Sequence, residues 1–322
     1  MYRMFQAAVA VLAVGSLLST QAQAQAWPNR TVRIIVPFTP GGTVDLMSRL
    51  LAEKLPAVLG QTFVVENRPG AAGDLAADYV AKQPPDGYTL LVHGSVAASG
   101  VFKALPYDPF KDFAPVSLLA NTILVLAVHP SIPSGSLAEV IAYARANPGK
   151  LAFGSPGVAT PQHFASELLR MQAKIDAVHV PYKGGAPIVA ALLAGDIGFT
   201  VNAANTLTPH VASGKVRLVA VPMPLRTALL PNVPTIAETI PSYDLPTTWL
   251  GLYAPGGTPP AIIERLNAES NRIVRDPQII KERLHPIGLE PVGTTPELVT
   301  ATMRSNFARY SAIAKEGNIR PD

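Results

Sequence analysis

Val36-Pro37-Phe38-Thr39-Pro40-Gly41-Gly42-Thr43-Val44-Asp45 is the stretch on which the reading of this chain turns. Upstream, Val32-Arg33-Ile34-Ile35-Val36 is a short β-branched run with the pattern of a buried strand. Downstream, Val44, Met47, Leu51, Leu55 and Val58 recur at helical spacing, which predicts a helix from Thr43 to a stop at Gly60. The turn between them holds two glycines, which permit positive φ and let another molecule approach the main chain. A helix start leaves N–H groups unpaired and carries a partial positive charge. Strand, Gly-rich turn and helix N-terminus together suit an anion, most simply a carboxylate or phosphate. The same pieces also describe an ordinary βα turn, and at this point both readings stand.

The device recurs along the chain. Thr62-Phe63-Val64-Val65 predicts a strand, 67–73 a Gly-rich turn and Asp74 to Lys82 a helix. Tyr88 to Val92 predicts a strand ending in His93-Gly94-Ser95, with a hydroxyl at the strand edge where open α/β sheets bind ligands. From Leu105 the chain reads as irregular until a strand over Ile123 to Val128. A new series then starts: a helix over Leu137 to Ala146, the strand Leu151-Ala152-Phe153 and the turn Gly154-Ser155-Pro156-Gly157-Val158-Ala159. Thr160-Pro161 has the residue types of a helix N-cap and first position. The turn Tyr182-Lys183-Gly184-Gly185 opens another helix, and the strand Ile197 to Val201 leads to Asn202. A strand over Val216 to Val221, a proline-rich connection over Pro222 to Pro246, a strand over Trp249 to Tyr253 and further helices complete the chain. Strands alternating with helices predict an α/β protein with parallel sheets.

Length and composition narrow the functional classes. The 322 residues are enough for two domains, and 48 % are hydrophobic. Arg3, the apolar run Ala7 to Leu18 and the small-x-small sites Ala22-Gln23-Ala24 and Ala24-Gln25-Ala26 read as a secretory signal peptide over residues 1–26. Its removal takes away only Arg3 among the charges, so the formal charge falls from +4 to +3. That mild excess has no basic stripe, which argues against nucleic acid as a partner. The chain has no cysteine, so its export does not rest on disulfides.

Catalytic signatures are missing from the sequence. There is no P-loop and no dinucleotide fingerprint, and Gly94-Ser95-Val96-Ala97-Ala98 lacks the second glycine of a nucleophile elbow. His93, His129, His163, His179, His210 and His285 stand far apart, without metal-ligand spacing. The chain is rich in Gly/Pro turns at strand ends and poor in reactive groups, the profile of a binder that needs no cofactor or metal. Asp45 suits a helix's first turn but would compete with an anion, so the expected role is to cap the turn.

These residues carry a resemblance. Pro37 to Asp45 resembles the opening signature of the Bug family, exported solute-binding proteins of tripartite tricarboxylate transporters. The similarity extends through Val65-Glu66-Asn67-Arg68-Pro69-Gly70, Leu105-Pro106-Tyr107-Asp108-Pro109, His179 to Gly184 and Ala254 to Pro259. It implies a two-lobed, type II periplasmic-binding-protein-like clamshell whose second lobe is inserted into the first. Residues 27–126 and 248–322 would form lobe 1 and residues 127–247 lobe 2. It further implies a small carboxylate held between the lobes, largely by main-chain N–H groups and bridging water. The expected ligand-binding residues are Phe38, Gly41, Gly42, Thr43, Ser95, Ser155, Thr160 and Asn202. Family members often carry Asp where this chain has Asn202, which favours an acid without an amino group. The expected partner is a membrane permease, with the protein itself a periplasmic monomer. Two alternatives stand beside this: a ligand-sensing module that presents the acid to a membrane sensor, and an exported hydrolase using Ser95.

The signal peptide generates a first prediction. N-terminal sequencing of exported protein should begin at Gln25 or Trp27, in a soluble periplasmic fraction. An intact Met1 or firm membrane retention would contradict it.

Overall fold

The computed structural model describes residues 27–317 except Ser95 and Ser134, together with Ile319. The expected signal peptide therefore lies outside the described residues, as does Ser95. From the amino end come β1 (Val32–Val36), α1 (Thr43–Lys54), β2 (Phe63–Asn67), α2 (Asp74–Ala81), β3 (Thr89–His93) and β4 (Phe113–Thr122). There follow β5 (Leu124–Val128), α3 (Leu137–Ala146), β6 (Leu151–Ser155), α4 (Pro161–Gln172), β7 (Ala177–Pro181), α5 (Gly185–Ala194), β8 (Phe199–Ala203) and β9 (Arg217–Ala220). The chain ends with β10 (Trp249–Pro255), α6 (Pro260–Val274), β11 (Leu289–Pro291) and α7 (Pro296–Glu316).

Two sheets result. Among the described residues one has the order β11-β4-β10-β3-β1-β2 and the other β7-β6-β8-β5-β9. The chain passes from the first to the second at Ile123 and returns between Ala220 and Trp249. This is the two-lobed clamshell with an inserted second lobe. Helices cover both faces of each sheet, so neighbouring strand residues enter separate cores. In β1, Ile34 packs with Leu50, Leu90 and Leu252, while Ile35 packs with Val80, Leu91 and Tyr253. In the second sheet Phe153 and Phe199 stack at 5.4 Å inside a core shared with Phe164.

The pairing corrects three expectations. The sheets are mixed: β1 pairs parallel with β2 and β3, but β10 runs antiparallel to β3 and β4, and β5 antiparallel to β8 and β9. A further strand, β4, occupies a stretch that reads as irregular. Its Pro115 argues against an interior strand, because proline brings no N–H to the ladder. The ladder accommodates it: Pro115 lies opposite Tyr253, where the β4–β10 register shifts between Leu252 and Tyr253. Short β11 also pairs with β4, over Leu289–Pro291, where only helices are expected from the sequence.

Antiparallel pairing sets which ends meet. The carboxyl ends of β1, β3 and β4 and the amino end of β10 share one edge of the first sheet. The carboxyl ends of β6, β7 and β8 and the start of β5 share one edge of the second. Helix α7 ties the two lobes together. Its Val299 and Met303 belong to a core of the first lobe, whereas Tyr310 and Ile313 belong to the second, where Tyr310 stacks on Phe164 at 4.5 Å.

The bulged β4 depends on Asn267 of α6, whose Nδ2 donates to the carbonyls of Val116 at 2.7 Å and Thr294 at 2.6 Å. Asn267→Leu keeps the volume and removes both bonds. It should cost about 1–3 kcal/mol in urea denaturation, because the Val116 carbonyl loses its side-chain donor while the Thr294 carbonyl keeps Asn271 Nδ2 at 3.1 Å. A loss below about 0.5 kcal/mol, the range of ordinary surface substitutions, would show that Asn267 does not hold β4.

Candidate functional site

The opening turn joins β1 to α1. Gly41 has φ +87°, which a side chain would strain, and its N–H donates to Asp45 Oδ2 at 3.0 Å. Gly42 is the N-cap of α1, and no side chain caps this helix end. Asp45 is 2 % exposed and anchors the turn from below. Arg49 meets it through Nε at 2.9 Å and NH2 at 3.0 Å, and Asn67 Nδ2 donates both to Asp45 Oδ1 and to the Phe38 carbonyl, each at 2.9 Å. Burial alone pushes the Asp45 pKa up, but hydrogen bonds from Arg49, Gly41 and Asn67 outweigh it and hold the carboxyl below its ordinary value. Asp45 is a support neutralised by Arg49, so it does not repel an anion at the helix mouth.

The second lobe contributes two turns. At the start of α4, Thr160 accepts from His163 N at 3.3 Å and donates to the Gly157 carbonyl at 2.7 Å, while Pro161 at the first helical position brings no N–H. His163 Nδ1 accepts from Ala159 N at 3.3 Å. Burial, reinforced by His179 and Arg170, lowers the pKa of His163 to about 3, so its ring is neutral and structural. The mouth of α4 is thus largely satisfied by its own residues. The mouth of α5 is not: it opens with Gly184 and Gly185 and has no side-chain cap. Asn202 steadies it, donating from Nδ2 to the Gly185 carbonyl at 3.3 Å and accepting from Ala203 N at 2.9 Å.

The lobes meet along these turns. Thr39 N donates to the Lys183 carbonyl at 3.3 Å, and Thr43 Oγ1 donates to Asn205 Oδ1 at 2.9 Å. Between the lobes lies a cavity that opens to solvent. Phe38, Gly42, Thr43, Thr160 and Asn202 line it, so the structure brings these five expected residues together. Gly41 and Ser155 do not reach the lining. The Gly41 N–H is spent on Asp45, and Ser155 is fully buried with its hydroxyl on His179 Nε2 at 2.7 Å and the Gly157 carbonyl at 3.1 Å. Nothing is described for Ser95. The lining also includes Gly184, Gly185, His93, Thr122 and Trp249, absent from the expected set. The Gly-Gly pair after a strand repeats the opening pattern, and His93 stands at a strand end of the kind that binds ligands, so both were usable signals; Thr122 and Trp249 carry none.

The chemistry of the cavity is set by what lines it. Among its described residues there is no Asp, Glu, Lys or Arg. Lys183, the one cation in a candidate turn, lines an adjoining outer space together with Lys103. Positive potential inside comes instead from helix ends, each equivalent to about half a charge. No group of three or more His, Cys, Asp or Glu among the described residues is placed to hold a metal ion.

Known proteins share this construction. A family model described as tripartite tricarboxylate transporter family receptor matches residues 47–319. The chain is 33 % identical over 303 residues to protein BugT of Bordetella pertussis, covering 93 % of each chain. It is similar, at 35 % identity and a TM-score of 0.86, to an R. palustris protein solved with adipate, over 92 % of this chain and 100 % of that one. A second solved relative, MatC from Rhodopseudomonas palustris with bound malate, is 31 % identical with a TM-score of 0.83, over 89 % of this chain and 99 % of that one. A family match along most of the chain, carried by this fold and this arrangement of turns, assigns the protein: it belongs to the tripartite tricarboxylate transporter receptors, the Bug-type periplasmic solute-binding proteins, which are receptors rather than enzymes.

Proposed function

We propose that the protein is exported to the periplasm, closes on a small carboxylate between its lobes and delivers it to a permease of the tripartite tricarboxylate type. One observation carries this reading: the uncapped ends of α1 and α5, from opposite lobes, converge on a cavity whose described lining has no charged side chain. Removing a carboxylate from water is costly unless donors replace its hydration, and first-turn N–H groups do so. A charge-assisted bond to such a group is about twice as strong as a neutral one. The adipate and malate bound by the two R. palustris relatives support a carboxylate here. No acidic side chain stands in the lining to pair with an amine, which favours acids without an amino group. The second sheet with its helices acts as one lobe, moving against the first as the cleft opens and closes. Phe38, Gly42, Thr43, Thr160 and Asn202 form the walls around the acid, with Gly184 and Gly185 beside them.

Thermal unfolding with a panel of mono-, di- and tricarboxylates tests this. At a hundred times its dissociation constant a ligand specific for the folded state stabilises by about 2.7 kcal/mol, a rise of roughly 5–10 °C in Tm. One or a few acids should give that shift, and their amides none. A panel without any stabilising acid would sink the reading.

Two substitutions locate the anion. Gly42 has φ −79°, and a Cβ there meets nothing closer than Thr39 O at 3.9 Å, so Gly42→Asp places a charge at the α1 mouth without steric conflict. It should abolish the shift, and Gly42→Ala should not. Thr160→Val removes a cap hydroxyl and should only reduce the shift, by the equivalent of about 1–2 kcal/mol. Wild-type binding by a folded Gly42→Asp protein would remove the α1 mouth from the site.

A further inference from the structure

The cavity lining carries no charged side chain among its described residues, but the space beside it does. That outer space shares Phe38, Ala72 and Ser99 of the first lobe and Pro156 and Ala159 of the second with the cavity, so the two adjoin along both lobes. Lys103 of the first lobe and Lys183 of the second are the only charged residues in its described lining. The two are not equivalent. Lys103 Nζ meets Asp74 Oδ2 at 2.7 Å, and Asp74 is 7 % exposed, so this cation is spent on a carboxylate of its own lobe. Lys183 is exposed, and no ion pair joins it to a described residue. Its main chain is fixed at the seam. The Lys183 carbonyl accepts from Thr39 N at 3.3 Å across the lobes, and Gly184 and Gly185 follow at the uncapped mouth of α5. A cation there opposes the positive end of the helix dipole, and α5 has no acid in its first turn to offset it. Lys183 therefore destabilises the helix end unless an anion comes to it.

We infer that Lys183 is the electrostatic capture residue of the cleft, drawing carboxylates from solution to the helix mouths, and drawing those with more negative charge faster. This rests on the carboxylate reading above and adds the step that precedes closure. The ammonium and the two open helix ends act in the same sense, and no acidic side chain in the described lining of either space opposes them. Being exposed, the ammonium is screened by water and salt, so its influence falls on the approach of the ligand more than on the held complex. Main-chain N–H groups hold the anion once water has left; Lys183 raises the rate at which the anion arrives. The attraction grows in proportion to the ligand's charge, so a diacid gains more from it than a monoacid.

Stopped-flow tryptophan fluorescence, with Trp249 of the cavity lining as reporter, and titration calorimetry test the inference with butanoate, succinate, adipate and citrate. At an ionic strength of about 0.01 M, where charges act over about 30 Å, Lys183→Gln should slow association of a di- or tricarboxylate about threefold or more, and Lys183→Glu about tenfold or more. Dissociation should change by less than about twofold, so the dissociation constants from calorimetry should rise by the same factors as the rates fall. Butanoate, if bound, should lose less than the diacids. At about 1 M, where screening acts within about 3 Å, wild type and both variants should associate alike. Lys150→Gln removes the same charge at the amino end of β6, the edge of the second sheet away from the cleft, and should behave as wild type. Wild-type rates and affinities in both Lys183 variants at low salt overturn the inference. So does a slowing that persists at high salt, which would make Lys183 a structural part of the seam, or an equal slowing in Lys150→Gln, which would make net charge the cause. If calorimetry finds none of the four acids bound, the carboxylate reading itself fails and this inference falls with it.

Discussion

An anion can be buried here only because helix ends are left open to receive it. Capping the first turn of a helix with a side chain is worth about 1 kcal/mol, and α3 takes that stabilisation from Ser136 and α4 from Thr160. At α1 and α5 the N-cap is glycine and no side chain does this, so first-turn N–H groups are left uncapped on both sides of the cleft, at α5 those of Gly185 and Ala186, since Pro187 has none. On the function proposed above, a ligand carboxylate restores the forgone capping. The site therefore discriminates between empty and filled through main-chain groups whose positions are fixed by two sheets. Side-chain flexibility enters little.

Holding an open helix end in shape without obstructing it is the work of Asp45, Arg49 and Asn67. Asp45 reaches back to Gly41, Arg49 neutralises it with two hydrogen bonds, and Asn67 joins it to the Phe38 carbonyl. The same carboxylate without Arg49 would oppose the anion. On the other lobe the neutral His163 and buried Ser155, bonded to the half-buried His179, shape the Gly157–Thr160 turn from behind. Titratable groups in this protein thus serve the turns as scaffolding, and the cavity itself stays free of charged side chains.

Closure brings main chain against main chain. Gly184, at φ +148°, lies where a Cβ would come within 2.7 Å of Thr39 Oγ1, and Gly157, at φ +129°, where it would come within 3.0 Å of the Ala72 Cβ. Any side chain at either point would hold the lobes apart. On the far side, α7 contributes to the cores of both lobes, so the halves share a rigid element as well as the two chain crossings.

Much of the architecture was legible because it is local. A β-branched run, a Gly turn and a helical repeat announce β1, α1 and the later βα units within about twenty residues of each other. Thr160 and Pro161 read as cap and first position, and Asp45 as a support, because helix ends are decided by the nearest few residues. What the sequence left hidden depends on partners far along the chain. Pro115 made β4 look irregular, and only its pairing with β10, more than a hundred residues away, supplies the register shift that admits it. The direction of a side chain at a strand end follows the pleat and not the residue type, which is why Ser155 turned inward to His179 while His93 and Thr122, at other strand ends, are among the residues lining the cavity. Local pattern determined that this chain builds strand ends and helix mouths able to receive an anion; sheet order and antiparallel pairing decided which of them meet, because contacts between distant segments are a property of the packed lobes alone.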